Sequence, residues 1–150
     1  MPYNENENFD GIRKNARVAQ YWQDEILDTL LFQGKIKNGF FIEAGAWDFT
    51  NSSNTLRYEL KYNWTGLLIE PVHEMCLKGW KVNRKAWSSC SCISTSTKPK
   101  FVDVNIDDMN FMGMVIKEDT NTKVQVPGQQ CFPLFSFIKA LDFPTVNLLR

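Results

Sequence analysis

The chain has 150 residues, with 17 basic and 17 acidic side chains and a hydrophobic fraction of 43%. This length corresponds to one ordinary domain, and the apolar content excludes the disordered and low-complexity classes of protein. The balanced charge provides no basic surface for nucleic-acid binding, and no segment approaches the ~18 uncharged apolar residues of a membrane span. We therefore expect one compact domain with no nucleic-acid partner and no membrane span within this chain.

The first elements in chain order are a polar arm, a helix and a strand. Residues 1–17 are rich in Asn and Glu and are predicted to form a flexible N-terminal arm without the features of a signal peptide. Apolar residues recur at helical spacing over 18–32, which predicts an amphipathic helix. The short apolar run Gly39–Ile42 predicts a buried strand that is closed by Glu43.

A second strand and helix follow the first pair. Residues 65–69 form an apolar run that predicts a buried strand ending at Glu70, and the polar residues 51–54 offer N-caps for the helix between the two strands. Pro71 suits the first position of the next helix, because its missing N–H would be unpaired there in any case. Residues 85–92 are predicted to form a third strand. These units predict an α/β fold with a mostly parallel sheet and helices on both faces.

The rest of the chain is predicted to contain a hairpin, a helix and a final strand. Residues 101–106 alternate between apolar and polar, and 112–116 could pair with them. Pro133 begins a segment with helical spacing, and 145–149 begins another apolar strand. The chain ends at Arg150, where this buried strand has only begun, which suggests that the sequence is cut off inside its fold.

Aromatic residues recur with the periodicity of core positions. These residues are Trp22, Phe40, Phe41, Phe135 and Phe137.

The four cysteines are too few for a disulfide scaffold in a chain of this length. Cys90 and Cys92 form a single C-x-C pair, and a zinc site would need two such pairs at finger-like spacing, so we expect no metal. Two alternatives remain open for the thiols. They are buried and free, or Cys92 and Cys131 form one disulfide.

Two acidic residues at predicted strand ends are the most informative feature for function. Glu43 closes the first strand, and Glu70 closes the second strand 27 residues later. Ligands of open parallel sheets bind beyond the carboxyl ends of the strands, where a carboxylate can accept hydrogen bonds from both ribose hydroxyls. The turn after Glu43 contains a single glycine, which suits a nucleoside cofactor without phosphates, such as S-adenosylmethionine. The alternative is that both acids are solvated strand ends.

Six short segments form an ordered series that reinforces this hypothesis. They are Gly39–Asp48, Ser53–Leu56, Trp64–Pro71, Asn83–Trp87, Cys92–Ser94 and Cys131–Leu134. The series resembles the FkbM-type S-adenosylmethionine-dependent methyltransferase domain, in the animal branch that includes the membrane protein Star. The resemblance implies that residues 18–150 are a partial domain with a Rossmann-like class I fold whose later strands are missing. It also implies S-adenosylmethionine as methyl donor and O-methylation of a small-molecule or glycan acceptor.

The resemblance assigns one group of cofactor-binding residues to the turn after the first strand. Glu43, Gly45 and Ala46 would form the turn beside the methionine part of the cofactor. Asp48 and Ser53 would support that loop.

A second group would contact the nucleoside. Glu70 would hold the ribose, with Val72 or His73 near the adenine. His73 is the only histidine, and its alternative interpretation is a solvated residue in the first turn of a helix. No catalytic residue is assigned, because a base is optional when the acceptor is already nucleophilic.

Two departures from the family pattern favour an inactive chain. Phe49 stands where the family usually has glycine after the motif aspartate, and the chain stops at Arg150, before the acidic D-x-E-G-type motif that lies near the substrate. We therefore expect this chain not to turn over by itself, because the substrate half of the site is missing. The alternative function is that of a non-catalytic Star-like protein. Such relatives act in the endomembrane system, the endoplasmic reticulum and Golgi, in the export of growth-factor-receptor ligands.

Overall fold

The computed structural model of the protein describes residues 19–105, 115–116 and 126–150, so the predicted arm over 1–17 lies outside the described residues. The first of its two sheets has four strands that all run parallel. In spatial order these strands are β3 (Trp87–Ser89), β2 (Thr65–Ile69), β1 (Phe40–Ala44) and β8 (Leu148–Leu149). The α/β class and the parallel sheet predicted from the sequence are thereby confirmed.

The second sheet also has four strands. In spatial order they are β4 (Cys92–Ser94), β7 (Val126–Pro133), β5 (Lys100–Asn105) and β6 (Val115–Ile116). β4 runs parallel to β7, while β5 runs antiparallel to both β7 and β6. Sequence analysis predicted the pairing of β5 with β6 but not β7. Pro127 and Gly128 are the second and third residues of β7, and both residue types weaken a strand prediction.

The helices are short. An N-terminal helical segment consists of a 3₁₀ turn (Gln20–Trp22), helix α1 (Gln23–Leu27) and a π-helical turn (Asp28–Phe32). It is followed by α2 (Leu56–Tyr62), α3 (His73–Trp80) and α4 (Leu134–Ala140). Within the described ranges, none of these helices has the length and apolar composition needed to cross a membrane.

Side chains alternate between the two faces of the parallel sheet, and each face is covered by helices. Phe41 and Leu68 point to one face, where they join a buried cluster with Tyr58 of α2 and Cys76 of α3. The intervening residues, Ile42, Leu67 and Ile69, point to the other face and pack against Phe137 of α4. Helices therefore cover both faces, and this explains why β1 and β2 are almost continuously apolar.

The predicted third strand over 85–92 is confirmed only for residues 87–89. The middle of the predicted range forms β3 at the edge of the parallel sheet, and Cys92 begins β4 in the other sheet. The chain changes sheet between Ser89 and Cys92. A continuous strand is prevented because Cys90 is bonded to Cys76 of α3 whereas Cys92 is bonded to Cys131 of β7.

All four cysteines form disulfides. Of the two alternatives left open by the sequence, the structure has the Cys92–Cys131 bridge, whose two residues are directly opposite each other in the β4–β7 register. The alternative of free thiols is wrong. The Cys76–Cys90 bridge was not anticipated, because its two Cα atoms, 5.5 Å apart, are brought together only when α3 packs on the sheet.

Two of the aromatic residues assigned to core positions are exposed instead. Trp22 is 47% exposed and Phe135 is 63% exposed. Phe135 lies on α4 beside Phe143, with ring centroids 5.8 Å apart, on the side of the helix that faces away from the sheet. Helical periodicity identifies an apolar stripe, but it does not determine what the stripe packs against.

Candidate functional site

The two predicted acids lie on neighbouring strands at one edge of the parallel sheet. Ala44 pairs with Ile69, so Glu43 and Glu70 are both within one residue of this pair at the carboxyl ends of β1 and β2. On the other side of β1 is β8, which the chain reaches only after passing through the second sheet and α4. The strand order therefore reverses at β1. Ligands of open α/β sheets bind at such a reversal point.

The turn after β1 is held to β2 by backbone hydrogen bonds. The N–H groups of Gly45 and Ala46 both donate to the carbonyl oxygen of Ile69, at 2.9 and 3.1 Å. Gly45 has a φ of +78°, and a Cβ placed there would meet nothing within 4 Å. Only glycine adopts this conformation without strain. The turn is thus firmly held, exposed at Gly45 and bordered there by open space.

Glu70 connects this turn to the start of α3. One carboxylate oxygen accepts the N–H of Trp47 and the other accepts the N–H of Val72, each at 2.8 Å. The side chain is 1% exposed. Burial raises the pKa of Glu70 above its ordinary value, although the two backbone hydrogen bonds act in the opposite direction. The helix begins at His73 rather than at the predicted Pro71, and Val72 before it has an extended backbone conformation.

Glu43 performs the corresponding role at the start of α2. One carboxylate oxygen accepts the N–H of Asn54 at 2.9 Å, and the other accepts the hydroxyls of Ser53 and Thr55 at 2.9 and 2.5 Å. Glu43 is 1% exposed, so the idea that both acids are solvated strand ends is wrong. Each is buried because its carboxylate is paired with the chain's own donors.

Asp48 and Ser53 hold the loop between β1 and α2. The Asp48 carboxylate accepts the N–H groups of Thr50 and Asn51 at 3.0 and 2.8 Å. Burial alone would raise the pKa of Asp48, but hydrogen bonds from Asn51 and Thr50 keep it below its ordinary value. The Ser53 hydroxyl accepts the N–H of Leu56, the first residue of α2, at 3.2 Å.

Arg84 is a buried cation of this region that sequence reasoning missed. Its Nε lies 2.9 Å from a carboxylate oxygen of Glu59, and the two side chains are 1% and 5% exposed. The guanidinium also donates to the carbonyl oxygen of Phe49 at 2.6 Å and to the hydroxyl of Thr55 at 3.1 Å. Arg84 lies in Asn83–Trp87, one of the six segments of the ordered series. Nothing in the sequence predicts its pairing with Glu59, which is 25 residues earlier.

The same loop contains bulky residues in the left-handed region of backbone conformation. Trp47 and Phe49 have φ values of +51° and +65°. Phe49 is 1% exposed, and a Cβ at Gly79 of α3 would lie only 2.3 Å from its ring. Bulky residues rarely adopt positive φ, so the loop is strained where the resembled family has glycine.

The remaining predicted residues lie close to Glu70. Ala46 is buried in the cluster that contains Phe49, and Val72 is 8% exposed at the start of α3. His73, the first residue of α3, is exposed. No group of three or more His, Cys, Asp or Glu side chains within residues 19–105, 115–116 and 126–150 could hold a metal ion.

One cavity in the described region, of about 240 Å³, lies away from both acids. It is lined by Phe49, Gly79, Trp80, Asn83, Arg84, Ala86, Trp87 and Ser88. The space bordering Gly45 is a different one, because none of the residues in the turn from Glu43 to Ala46 lines this cavity.

No protein-family model, curated protein or solved structure matches this chain.

Proposed function

We propose that the chain is a Rossmann-like, FkbM-type methyltransferase domain that binds S-adenosylmethionine at the carboxyl edge of β1 and β2. In this proposal the turn at Gly45 and Ala46 receives the methionine part, and Glu70 receives the ribose. Val72 and His73 lie near the adenine. In a complete domain the reaction would be O-methylation of a small-molecule or glycan acceptor, and this chain by itself would bind the cofactor without turning over.

The observation that carries the proposal is the position of the two acids. Glu43 and Glu70 end neighbouring parallel strands beside the point where the strand order reverses. The single open glycine of the turn supports it, because close approach of a ligand to the backbone needs a position without a side chain.

Ribose binding requires a change at Trp47. Each oxygen of Glu70 already accepts one backbone N–H, and an ionised carboxylate oxygen has room for a second hydrogen bond. Because Glu70 is 1% exposed, the ribose hydroxyls reach it only when the loop from Trp47 to Phe49 moves outward. The positive φ values of Trp47 and Phe49 support such a movement, since leaving a strained conformation lowers its cost.

Two matched glycine variants test the proposal. Gly45 and Gly128 both have positive φ, and a Cβ at either would meet nothing within 4 Å, but only Gly45 lies at the proposed site. We expect Gly45→Val to weaken binding of S-adenosylhomocysteine, measured by calorimetric titration, by at least about tenfold. Gly128→Val should carry a comparable backbone strain and bind as the unsubstituted chain does.

Thermal melts of both variants verify that they are folded before titration. Failure of the folded, unsubstituted chain to bind S-adenosylhomocysteine would reject the cofactor. Equal binding by both variants would reject the location at Gly45.

A non-catalytic Star-like role is the second candidate, and it is favoured by the occupied carboxylates. Glu43 and Glu70 are paired with groups of the chain itself, as in a pocket that serves only to hold a loop. The two disulfides suit an oxidising compartment such as the endomembrane system. A folded chain that has no free thiol by mass spectrometry and binds no S-adenosylhomocysteine would support this role over the enzyme.

A further inference from the structure

The N-terminal helical segment, Gln20–Phe32, buries polar side chains and exposes apolar ones. Asp24 and Asp28 are 4% and 7% exposed, whereas Ile26 and Leu30 are 52% and 68% exposed. An amphipathic helix on a globular domain ordinarily has the opposite orientation. Phe32, the last residue of the segment, packs against Tyr58 and Trp64 in the core. The core does not explain why Ile26 and Leu30 are apolar.

Specific polar contacts hold the segment in this orientation. The hydroxyl of Tyr58 donates to the carbonyl oxygen of Asp24 at 2.9 Å, and the hydroxyl of Tyr62 donates to the Asp28 carboxylate. Lys61 lies 3.7 Å from the same carboxylate. Burial acts to raise the pKa of Asp28, but the Tyr62 hydrogen bond and the neighbouring cations hold it below its ordinary value. Rotating the aliphatic side inward would break these contacts.

The exposed apolar surface is large enough for an interface. Tyr21 and Leu31 are 71% and 68% exposed, and they add their apolar surface to the exposed surface of Ile26 and Leu30. Together the four side chains expose roughly 500 Å² of surface, in the range where an apolar patch marks an interaction site.

The charges around this surface favour a second copy of the chain as the occupant. The exposed positions of the segment include Gln23 and Thr29 beside the four apolar side chains, and none of these six carries a charge. A helix that lies on a membrane carries Lys and Arg on its polar side, whereas here that side carries Asp24, Glu25 and Asp28. An uncharged apolar surface meets a symmetry-related copy of itself without like-charge repulsion.

We propose that this surface, formed by Tyr21, Ile26, Leu30 and Leu31, is the two-fold interface of a homodimer. Two copies would together bury roughly 1,000 Å², which is about the minimum for a biological interface and is typical of a weak, concentration-dependent dimer. The dimer does not depend on the cofactor site, because the turn at Gly45 and the two acids contribute none of these side chains.

Sedimentation velocity of the 150-residue chain, over concentrations from about 1 to about 100 μM, tests the interface. We expect concentration-dependent dimers, and we expect Ile26→Glu and Leu30→Glu each to weaken the dimer by at least about tenfold, because each would bury an unpaired charge. Leu77→Glu is the matched control, since Leu77 is an exposed leucine of α3, 38% exposed, outside the surface. It should leave the dimer unchanged.

Circular dichroism melts establish that the variants are folded, which is expected because all three substituted side chains are partly exposed. A monomer at all concentrations would overturn the proposal, as would dimers that persist in both Ile26→Glu and Leu30→Glu. Flotation with neutral lipid vesicles adds a further test. Vesicle binding by a monomeric chain that is lost in both variants would assign the surface to a membrane and reject the dimer.

Discussion

Buried charged side chains hold together the loop between β1 and α2. Glu43 pairs with the start of α2, Glu70 pairs with the turn and the start of α3, and Arg84 pairs with Glu59 beneath the loop. Removing one partner of such a pair leaves an uncompensated charge in a region from which water is excluded. These residues are therefore structural whether or not a cofactor binds.

Loss of the Arg84 guanidinium should be strongly destabilising. Arg84→Met leaves the Glu59 carboxylate buried without its cation, so we expect a loss of about 3–5 kcal/mol in the free energy of unfolding, measured with urea. Lys78→Met is the control, because Lys78 is exposed and forms its ion pair with an exposed carboxylate, that of Glu74. The control should show no measurable change. Similar losses in the two variants would contradict the importance of burial.

The raised pKa of Glu70 should appear in the pH dependence of stability. Glu70 holds its proton more tightly in the folded chain than in the unfolded chain. The folded chain therefore loses stability as the pH rises from the ordinary pKa of this carboxyl, 4.5, through its folded value. Glu70→Gln lacks this titration. The free energy of unfolding of the unsubstituted chain should therefore fall relative to that of the variant between about pH 4 and about pH 7.

Glu74→Gln provides the opposite sign in the same measurement. The pKa of Glu74 is lowered by Lys78, so the unsubstituted chain should gain stability relative to this variant as the pH rises from the lowered folded value to the ordinary pKa, 4.5. A Glu70 comparison that does not vary with pH would show that Glu70 has an ordinary pKa in the folded chain.

Among the elements, the second sheet depends most on its disulfide. Its buried cluster contains only Cys92, Val102 and Cys131 among the described residues, whereas the parallel sheet has a large cluster on each face. Ile93 of β4 and Phe132 of β7 join the second sheet to the cluster around α4. The Cys92–Cys131 bridge therefore supplies a large share of the local cohesion of this sheet.

Replacing each disulfide by two alanines should separate the two contributions. The Cys92–Cys131 bridge closes a loop of 39 residues and the Cys76–Cys90 bridge a loop of 14. Chain entropy alone then predicts losses of about 4 and about 3 kcal/mol, measured by urea unfolding. Hydrogen exchange identifies the regions affected. Exchange that accelerates in β1 and β2 but not in β4 and β7, when Cys92 and Cys131 are replaced, would contradict this assignment.

At the scale of the whole molecule, the strand order decides where a ligand could bind. β1 lies between β2 and β8, and the chain reaches these two neighbours by connections of very different length. The second sheet and α4 are inserted in the longer connection, so the carboxyl edge of β1 borders two separate parts of the chain. This arrangement, rather than any single residue, is the reason for placing the candidate site at this edge.

Much of the parallel sheet could be predicted from local pattern. Apolar runs predicted β1 and β2, polar N-cap residues predicted α2, and helical spacing predicted α4. The two acids at the strand ends were also identified from the sequence. The prediction of helix and strand succeeds here because the period of apolar residues is a local property of the chain.

The sequence by itself determined the α/β class, the parallel β1–β2 pair and the acids at its carboxyl edge. Only the tertiary structure decided that these acids are buried and paired, that Arg84 pairs with Glu59, and that the chain changes sheet between Ser89 and Cys92. It also decided that the N-terminal helical segment turns its aspartates inward. The physical reason is that periodicity specifies which side chains share a face, whereas pairing and burial depend on residues far apart in the chain.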